Sequence, residues 1–341
     1  MDLDVIARRH GERLRILVTR LRYLGDVILT TPAVAALKSR YPEAQIDYLT
    51  EVPYGPVLKG NPHIDAVVTT GGAFLGTVTK IWKRRYTAAI DLFYNPRSAW
   101  LLYLARIPVR VGGSRRWRRR LYTHTFTVPG HVRNAVLHHL HPLRILDVQE
   151  KWSLPRVYID GGEREVGRSF LVGAAGRSEG TVALHCGGTW QSKRWSPGSF
   201  AVLADMIRDR MGKRPLLITG PGEDGIVNAV MEQSKGDLQA LPVMPIRSLA
   251  SVLLHCDAVV ANDGGVMHLS VALGRPTVGV FGPTEPDIWF PYEDEGPFAV
   301  TTMYEECSPC HKHECADPKC LDRLDPDLVF EKLKDVLSWR A

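Results

Sequence analysis

The feature that most constrains the fold of this chain is a repeated alternation of short apolar runs with helix-like stretches. Each run is mostly β-branched or aliphatic and is followed by turn residues, as expected for strands of a parallel sheet that are buried on both faces. Four runs lie in each half, so the sequence predicts an α/β fold with a doubly wound pattern written twice. The runs cover residues 14–19, 45–50, 65–70, 88–93, 181–186, 215–219, 257–263 and 276–282.

Length and composition agree with two globular domains. The chain has 341 residues, and its 45% hydrophobic and 23% charged residues exclude a disordered, fibrous or coiled-coil protein. A helical stretch bounded by glycines within residues 150–180 is interpreted as the end of the first domain and the linker, which predicts domains at 1–165 and 166–341. No apolar run is long enough to span a membrane and the opening residues lack a signal-peptide core, so we expect a cytoplasmic protein.

The charge is distributed unevenly between the two halves. Residues 1–160 contain 25 Lys and Arg against 12 Asp and Glu, whereas residues 161–341 contain 18 against 25. A strongly basic half attracts polyanions, which include nucleic acid, an anionic membrane and a phosphorylated substrate. Charge alone does not choose among these partners.

The loops after the predicted strands are where chemistry should be sought, because doubly wound sheets bind ligands beyond the carboxyl ends of their strands. After the first strand, Gly25 lets the backbone turn and Asp26 stands where a helix begins. Taken alone, Asp26 is best explained as a helix cap that satisfies free amide groups.

A loop in the second half has the composition of a phosphate cradle. After residues 181–186, Gly187, Gly188 and Thr189 offer close backbone approach and a hydroxyl donor, and Lys193 offers a positive charge. The loop GPGEDG after residues 215–219 matches a dinucleotide-binding pattern only weakly, because no acidic residue follows at the spacing that would hold a ribose.

A third loop in the second half follows residues 257–263. Asp263 and Gly264 lie at the strand end, Gly265 follows them, and His268 lies in the first turns of the next helix. The loops after the second-half strands are expected to converge on one crevice.

Three motifs in order give the chain a specific resemblance. They are LGDVILTTPAVAALKSRYP near the start, LHCGGTWQSKRWSPGSF in the middle and NDGGVMHLSVALGRPTVGVFGPTEP near the end, followed by the cysteine run CSPCHKHECADPKC. Together they resemble the ADP-heptose:lipopolysaccharide heptosyltransferase family over nearly the whole chain. The resemblance implies two facing Rossmann-like domains, the arrangement called GT-B, with the last helix crossing back towards the first domain. It also implies transfer of heptose from ADP-heptose to the inner core of lipopolysaccharide, with inversion at the anomeric carbon.

The resemblance assigns roles to the strand-end residues. Asp26 would take the proton of the attacking hydroxyl, and a helix N-terminus would keep that carboxylate ionised. Glu223 would hold the ribose hydroxyls, while Asp263 and His268 would contact the sugar diphosphate; the alternative for His268 is a histidine packed in the core. The departing diphosphate would be stabilised without a metal ion by amides, a hydroxyl and an ammonium. These donors would come from Gly187, Gly188, Thr189, Lys193, Gly264 and Gly265.

A basic segment in the first half suits the acceptor. Five arginines surround Trp117, and guanidinium groups bind phosphate and carboxylate in a bidentate manner. The resemblance favours recognition of a phosphorylated lipopolysaccharide core at the anionic surface of the inner membrane, where the protein would be peripheral, and no nucleic acid is expected. The alternative is a solvated loop. The arginines are Arg115, Arg116, Arg118, Arg119 and Arg120.

The cysteine segment 307–320 has a spacing that metal sites use. Cys307, Cys310, Cys315 and Cys320 follow C-x2-C-x4-C-x4-C. In a cytosolic chain four such thiols could hold a structural zinc ion or an iron–sulfur cluster, with reduced thiols as the equal alternative. Neither would take part in catalysis.

Two other functions stay open at this point. The first is another nucleotide-sugar enzyme of the same two-domain shape, either a glycosyltransferase with a different donor sugar or a sugar-nucleotide epimerase. The second is a nucleotide-binding module that captures RNA through its arginine-rich segment.

Overall fold

The protein, as a computed structural model, is described over residues 2–4, 13–175 and 180–339. Its contacts divide the chain into two compact units, Met1–Tyr158 and Ile159–Ala341. The predicted α/β fold with two Rossmann-like domains is confirmed, because each unit is a six-stranded sheet with flanking helices and every strand pairing is parallel.

The first unit has the strand order β3-β2-β1-β4-β5-β6. Its central strands are fully buried on both faces, which is why their sequences read as unbroken apolar runs. The strands are β1 (Arg15–Thr19), β2 (Gln45–Glu51), β3 (Ala66–Thr70), β4 (Ala88–Asp91), β5 (Val109–Gly113) and β6 (His124–Phe126). The helices are α1 (Leu24–Leu29), α2 (Thr31–Arg40), α3 (Phe74–Lys83), α4 (Pro96–Leu104) and α5 (Ala135–Leu140), with 3-10 turns at Val52–Leu58, Arg116–Leu121 and His141–Leu146.

The second unit has the strand order β12-β11-β10-β7-β8-β9. Its last helix packs on the second sheet and on the helix that follows β7. The strands are β7 (Thr181–His185), β8 (Arg214–Ile218), β9 (Gln239–Leu241), β10 (Ala258–Asn262), β11 (Thr277–Phe281) and β12 (Phe298–Thr302). The helices are α6 (Gly161–Ala175), α7 (Pro197–Met211), α8 (Asp224–Gln233), α9 (Ile246–Leu253), α10 (Gly265–Ala272), α11 (Pro286–Trp289), α12 (Lys319–Asp322) and α13 (Pro326–Ser338), with 3-10 turns at Gln191–Lys193 and Glu293–Glu295.

The two sheets have the same topology. Counted from the first strand of each unit, both sheets have the strand order 3-2-1-4-5-6. The second and third strands are added to one side of the first strand and the last three to its other side, so the strand order reverses between β1 and β4 and between β7 and β10. A crevice opens beyond the carboxyl ends of the two strands at such a reversal, and doubly wound proteins bind ligands there. The fold therefore offers one crevice in each unit.

Four strands were not predicted from the sequence, and three of them lie at sheet edges. Edge strands β6, β9 and β12 are short or only partly buried, so they lack a continuous apolar run. Strand β5 ends in two glycines, and Gly112 is required because a Cβ atom there would lie 2.3 Å from the ring of Tyr122.

The contacts place the division between the units after Tyr158, earlier than the predicted boundary at 165. Helix α6 runs through the predicted boundary and packs against α9 of the second unit. The Arg247 guanidinium donates to both carboxylate oxygens of Glu163, which lies in the first turn of α6. The glycines at residues 161 and 162 thus begin a helix of the second unit rather than a linker.

None of the helices in the described ranges is both long enough and apolar enough to cross a membrane.

Candidate functional site

The crevice of the second unit is built around Asn262, which ends β10. Its side-chain amide donates to the carbonyls of Cys186 and Gly187 at 2.9 and 3.0 Å, and its oxygen accepts from the Trp195 amide at 3.2 Å. One buried side chain thus ties the loop after β7 to the end of β10, across the point where the strand order reverses. Sequence analysis missed Asn262 because a single Asn after a strand has no distinguishing pattern.

The Glu223 carboxylate lies under the loop after β7. One oxygen accepts from the Gly188 amide at 2.9 Å, and the other accepts from the Gly220 amide at 2.9 Å and contacts His185 Nε2 at 3.1 Å. Gly187 is required by the same contact, because a Cβ atom there would lie 1.9 Å from the carboxyl carbon of Glu223. The sequence placed Glu223 and the two glycines in one site, and the structure brings them together.

These donors keep Glu223 ionised. Burial acts to raise the pKa of Glu223, but the hydrogen bond and charge of His185, together with the amides of Gly220 and Gly188, outweigh burial and leave that pKa below its ordinary value. The Gly188 amide, which the sequence assigned to a phosphate, is therefore used by Glu223 in this structure.

Lys193 and Asp263 form a buried ion pair at the same crevice. The ammonium lies 2.5 Å from one carboxylate oxygen of Asp263, and that oxygen also accepts from the Thr284 hydroxyl at 2.6 Å. The ammonium also sits 4.4 Å from the ring centroid of Trp190, a favourable cation–π distance. Lys193 and Asp263, both predicted site residues, therefore contact each other directly, although they are far apart in sequence. Thr189, another predicted site residue, is exposed.

Helix α10 begins at the end of β10, with Gly264 at its cap and Gly265 as its first residue. Unpaired amides at a helix start of this kind favour an anion. His268 lies in the packed interior instead, with Nδ1 3.0 Å from the Tyr292 hydroxyl. The structure thus favours the core alternative for His268 over direct contact with a ligand.

The cysteine segment 307–320 braces the loop that carries Lys193. The Ser192 hydroxyl donates to the carbonyl of Lys312 at 2.5 Å, the Ser192 amide donates to the carbonyl of His313, and the rings of His313 and Trp190 stack at 3.9 Å. The Cys310 amide donates to the carbonyl of Pro283 in the loop after β11. This segment therefore connects two strand-end loops of the crevice.

The four thiols of the segment do not form a coordination sphere. Within the part of the chain that the structure describes, no three His, Cys, Asp or Glu side chains are arranged to hold a metal ion. Burial raises the pKa of Cys320, and the charges of Cys307, Cys310 and Cys315 raise it further. The zinc or iron–sulfur site stays a prediction from spacing, which the arrangement of these thiols does not support.

In the first unit, the crevice between β1 and β4 holds Asp26. This residue lies in the first turn of α1, where one oxygen accepts from the Tyr23 amide at 3.2 Å and the other binds the guanidinium of Arg20. Arg20 also donates to the Leu92 carbonyl at 3.0 Å and lies 4.9 Å from the ring centroid of Phe93, both at the end of β4. Sequence analysis missed Arg20, although its position directly after the first strand was the available signal.

The arginine segment follows β5 at the same sheet edge and is anchored by a buried carboxylate. Asp91 at the end of β4 accepts from the Tyr122 hydroxyl at 2.7 Å and from the amides of Phe93 and Tyr94. Burial raises the pKa of Asp91, although these hydrogen bonds act against it. Arg118 is half-buried, whereas Arg115, Arg116, Arg119 and Arg120 are exposed.

The comparisons with known proteins define the class of this protein. The sequence profile of glycosyltransferase family 9 (heptosyltransferase) matches residues 77–321. The chain therefore belongs to glycosyltransferase family 9, and it is a glycosyltransferase.

Three relatives illustrate the match. Lipopolysaccharide heptosyltransferase 3 of Escherichia coli K12 is 25% identical over 297 residues, which cover 80% of this chain and 84% of the relative. Lipopolysaccharide heptosyltransferase 1 of Pseudomonas aeruginosa PAO1 is 25% identical over 360 residues, which cover 95% and 98%. The structure of E. coli ADP-heptose lps heptosyltransferase II superposes with a TM-score of 0.80 at 22% identity, over 95% of this chain and 98% of that chain.

Replacing Gly187 by Ala should destabilise the second unit. The added methyl group would occupy the place of the Glu223 carboxylate, and overpacking of this kind costs about 1 to 3 kcal/mol. The free energy of unfolding, measured by urea denaturation, tests this expectation. Gly225→Ala is the matched control, because a Cβ atom there meets nothing within 4 Å and Ala favours the helix. Equal stabilities of the two variants would contradict the close contact at Gly187.

Replacing Glu223 by Gln should lower stability in a pH-dependent manner. The folded pKa of Glu223 is depressed, so its ionised form stabilises the protein above the ordinary Glu pKa of about 4.3, and this contribution is lost as pH falls through the folded pKa. We expect a loss of about 1 to 2 kcal/mol at neutral pH that shrinks in acid. Denaturant curves between neutral and acidic pH measure it, and Glu165→Gln at an exposed site is the control. A difference independent of pH would rule out the charge as its cause.

Proposed function

We propose that this protein transfers heptose from ADP-heptose to the inner core of lipopolysaccharide, with inversion at the anomeric carbon. The observation that carries the proposal is the pair of charged sites at the two reversals of strand order. The first unit has a carboxylate fixed by Arg20, and the second unit has a lysine, glycine amides and a helix start suited to a diphosphate. The names of the relatives supply the donor and the acceptor class.

Asp26 is the proposed general base. An inverting displacement forms the new bond at a carbon with oxocarbenium character while a carboxylate removes the proton of the attacking hydroxyl. The Arg20 guanidinium and the Tyr23 amide hold the carboxylate in one orientation. A carboxylate is a weak base, and it suffices here because the hydroxyl becomes acidic as it attacks.

The second unit is the proposed donor-binding domain. As the bond to the sugar breaks, negative charge grows on the diphosphate, and Lys193 together with the amides of Gly264 and Gly265 would stabilise it. Lys193 is already held by Asp263, which positions its ammonium and limits its motion. This stabilisation requires no metal ion.

Glu223 is the proposed ribose ligand. A carboxylate has about four lone-pair sites, and the Gly188 and Gly220 amides with His185 use three of them. The remaining acceptor capacity suits a ribose hydroxyl, and the fixed carboxylate would accept it without reorganisation.

The first unit is the proposed acceptor-binding domain. The arginine segment suits a phosphorylated lipopolysaccharide core, because guanidinium groups bind phosphate oxygens in pairs. We further propose that the protein works as a peripheral protein at the cytoplasmic face of the inner membrane. Relatives named lipopolysaccharide heptosyltransferase 1 and 3 are both 25% identical to this chain, so the proposal names the inner core rather than one heptose position.

A donor panel with Asp26→Asn tests the proposal. We expect turnover with ADP-heptose in excess EDTA, and the variant should lower kcat by about 100-fold to 10,000-fold with little change in ADP affinity, because general base catalysis contributes that much. Rates with an inner-core acceptor and calorimetric titration with ADP measure these quantities. Asp147→Asn is the control, since this exposed residue has the left-handed backbone that Asn tolerates. Preference for UDP- or GDP-hexose would replace the heptosyl donor, and an unaffected Asp26→Asn rate would remove the base.

The triple variant of Arg118, Arg119 and Arg120 to Ser tests the acceptor assignment. Loss of three guanidinium groups should raise KM for the acceptor about tenfold or more while KM for the donor changes little. Steady-state kinetics with each substrate varied in turn measure the two constants.

A matched control removes the same charge from the second unit, at exposed Lys235, Lys332 and Lys334. The control should leave both Michaelis constants unchanged. Equal effects on acceptor and donor in the arginine variant would show that net charge, rather than acceptor binding, is responsible.

A further inference from the structure

We propose that α4 and the 3-10 turn Arg116–Leu121 form a docking face for an anionic phospholipid bilayer. The face consists of Trp100, Tyr103 and Leu104 of α4 and Trp117 of the turn, together with the surrounding arginines; we call it the aromatic–arginine face. This inference deepens the proposed function by naming the surface that would meet the membrane, and it rests on that proposal only for the choice of an inner-membrane leaflet.

Large apolar side chains on this face point to solvent. Trp100, Tyr103, Leu104 and Trp117 are 39%, 43%, 40% and 48% exposed. Their rings are gathered: the centroid of Trp100 lies 6.2 Å from that of Trp117 and 5.7 Å from that of Tyr103. Helix α4 has a separate inward face that is already packed in the core, made of Ser98, Ala99, Leu101 and Leu102. The exposed aromatic side chains therefore form a second, outward apolar surface.

The chain around the face is strongly basic, although Arg97 of α4 forms an ion pair with Glu51 at 3.4 Å. Residues 66–146 contain 14 Lys and Arg and one acidic residue, Asp91. Asp91 is fully buried and bonded to Tyr122, so it does not neutralise the surface. Arg110 lies 5.4 Å from the ring centroid of Tyr103, which places a cation against the aromatic cluster itself. A surface of this composition is complementary to phosphate headgroups.

The neighbouring helix α3 also exposes apolar and basic side chains. It packs against α4 and exposes Leu75 and Trp82, which are seven residues apart and so lie on one side of the helix. Its inward residue Ile81 is fully buried, and Lys80 and Lys83 lie in its last turn. Two adjacent helices of the first unit thus combine exposed apolar side chains with basic ones.

A bilayer fits these features better than an RNA strand does. Trp and Tyr prefer the boundary between headgroups and acyl chains, where an apolar ring and a polar edge are both satisfied. Leu104 and Leu75 gain nothing from a nucleobase but gain from insertion among acyl chains. Each basic residue near an anionic surface adds attraction that salt weakens. The combination predicts a peripheral surface that binds through insertion and charge together.

The location of the face suits a lipid-linked acceptor. In the strand order of the first unit, β5 lies two strands from β1, and adjacent strands are about 4.8 Å apart. The turn after β5 and the carboxylate of Asp26 after β1 therefore belong to one sheet edge. Helix α4 runs from the end of β4 back to the start of β5, so the Trp117 end of the face is the part nearest the edge that carries the proposed base.

Vesicle co-sedimentation of the full chain tests the inference. The protein should bind vesicles of phosphatidylcholine with phosphatidylglycerol, bind much less to phosphatidylcholine alone, and dissociate in high salt. The double variant Trp100→Ser, Trp117→Ser should lower the partition coefficient about tenfold or more, because it removes the inserting rings. The double variant Tyr304→Ser, Trp339→Ser is the control, since it removes two similarly exposed aromatics from the second unit. Thermal melts of all variants confirm that they are folded.

Several outcomes would overturn the inference. Equal binding of both double variants would show that the aromatic–arginine face does not insert, and equal binding to neutral vesicles would remove the role of charge. Tighter binding to single-stranded RNA than to anionic vesicles, lost in the Trp100 and Trp117 variant, would assign the face to nucleic acid. A dimer that the same variant converts to monomer would assign it to a second copy of the chain. Vesicle binding needs neither donor nor acceptor, so it can fail while heptosyl transfer succeeds, and the reverse.

Discussion

The reversal of strand order in each parallel sheet is the constraint on which the rest of the structure depends. In the first unit the crossovers after β1 and β4 lead to opposite sides of the sheet, so the loops after these two strands separate and leave space between them. The loops after β7 and β10 do the same in the second unit. Every residue placed in the two candidate crevices follows one of these strands or a direct neighbour. The chemistry of each crevice is therefore set by a few loop residues, while the apolar strands beneath them can change without altering it.

Charged residues in the two crevices are held by partners of opposite charge or by backbone amides. Asp26 is held by Arg20, Lys193 by Asp263, and Glu223 by His185 with two amides. Each partner fixes the orientation of the group that it contacts, and in Glu223 the partners also lower the pKa of the carboxyl group. These contacts offset the desolvation of the charged groups in the absence of a ligand. Such preorganisation is expected of a site that must not rearrange during the reaction.

The sequence was sufficient for the fold class and for the positions of the candidate groups, but not for their partners. Buried central strands such as β1 and β10 can be recognised in the sequence as apolar runs, whereas edge strands β6, β9 and β12 cannot. Asp26 and Lys193 were noticed because they follow predicted strands, whereas the role of Asp26 and the choice of Glu223 came from the family resemblance. The contacts of Arg20, Asn262 and Thr284 could not be predicted, because they depend on side-chain directions that spacing does not encode, although Arg20 could have been noticed from its position after the first strand. His268 also lies near a strand end, but its side chain contacts the Tyr292 hydroxyl in the core. Position near a strand end therefore does not by itself place a side chain in the crevice.

The bracing of the Lys193 loop by the cysteine segment has a consequence for how the crevice responds to its surroundings. Ser192 is joined to Lys312, 120 residues further along the chain, and the stacked rings of Trp190 and His313 lie beside that junction. The loop that carries Lys193 is therefore held by a segment distant in sequence that contains four cysteines. Oxidation or alkylation of those sulfur atoms would therefore change how firmly the Lys193 loop is held.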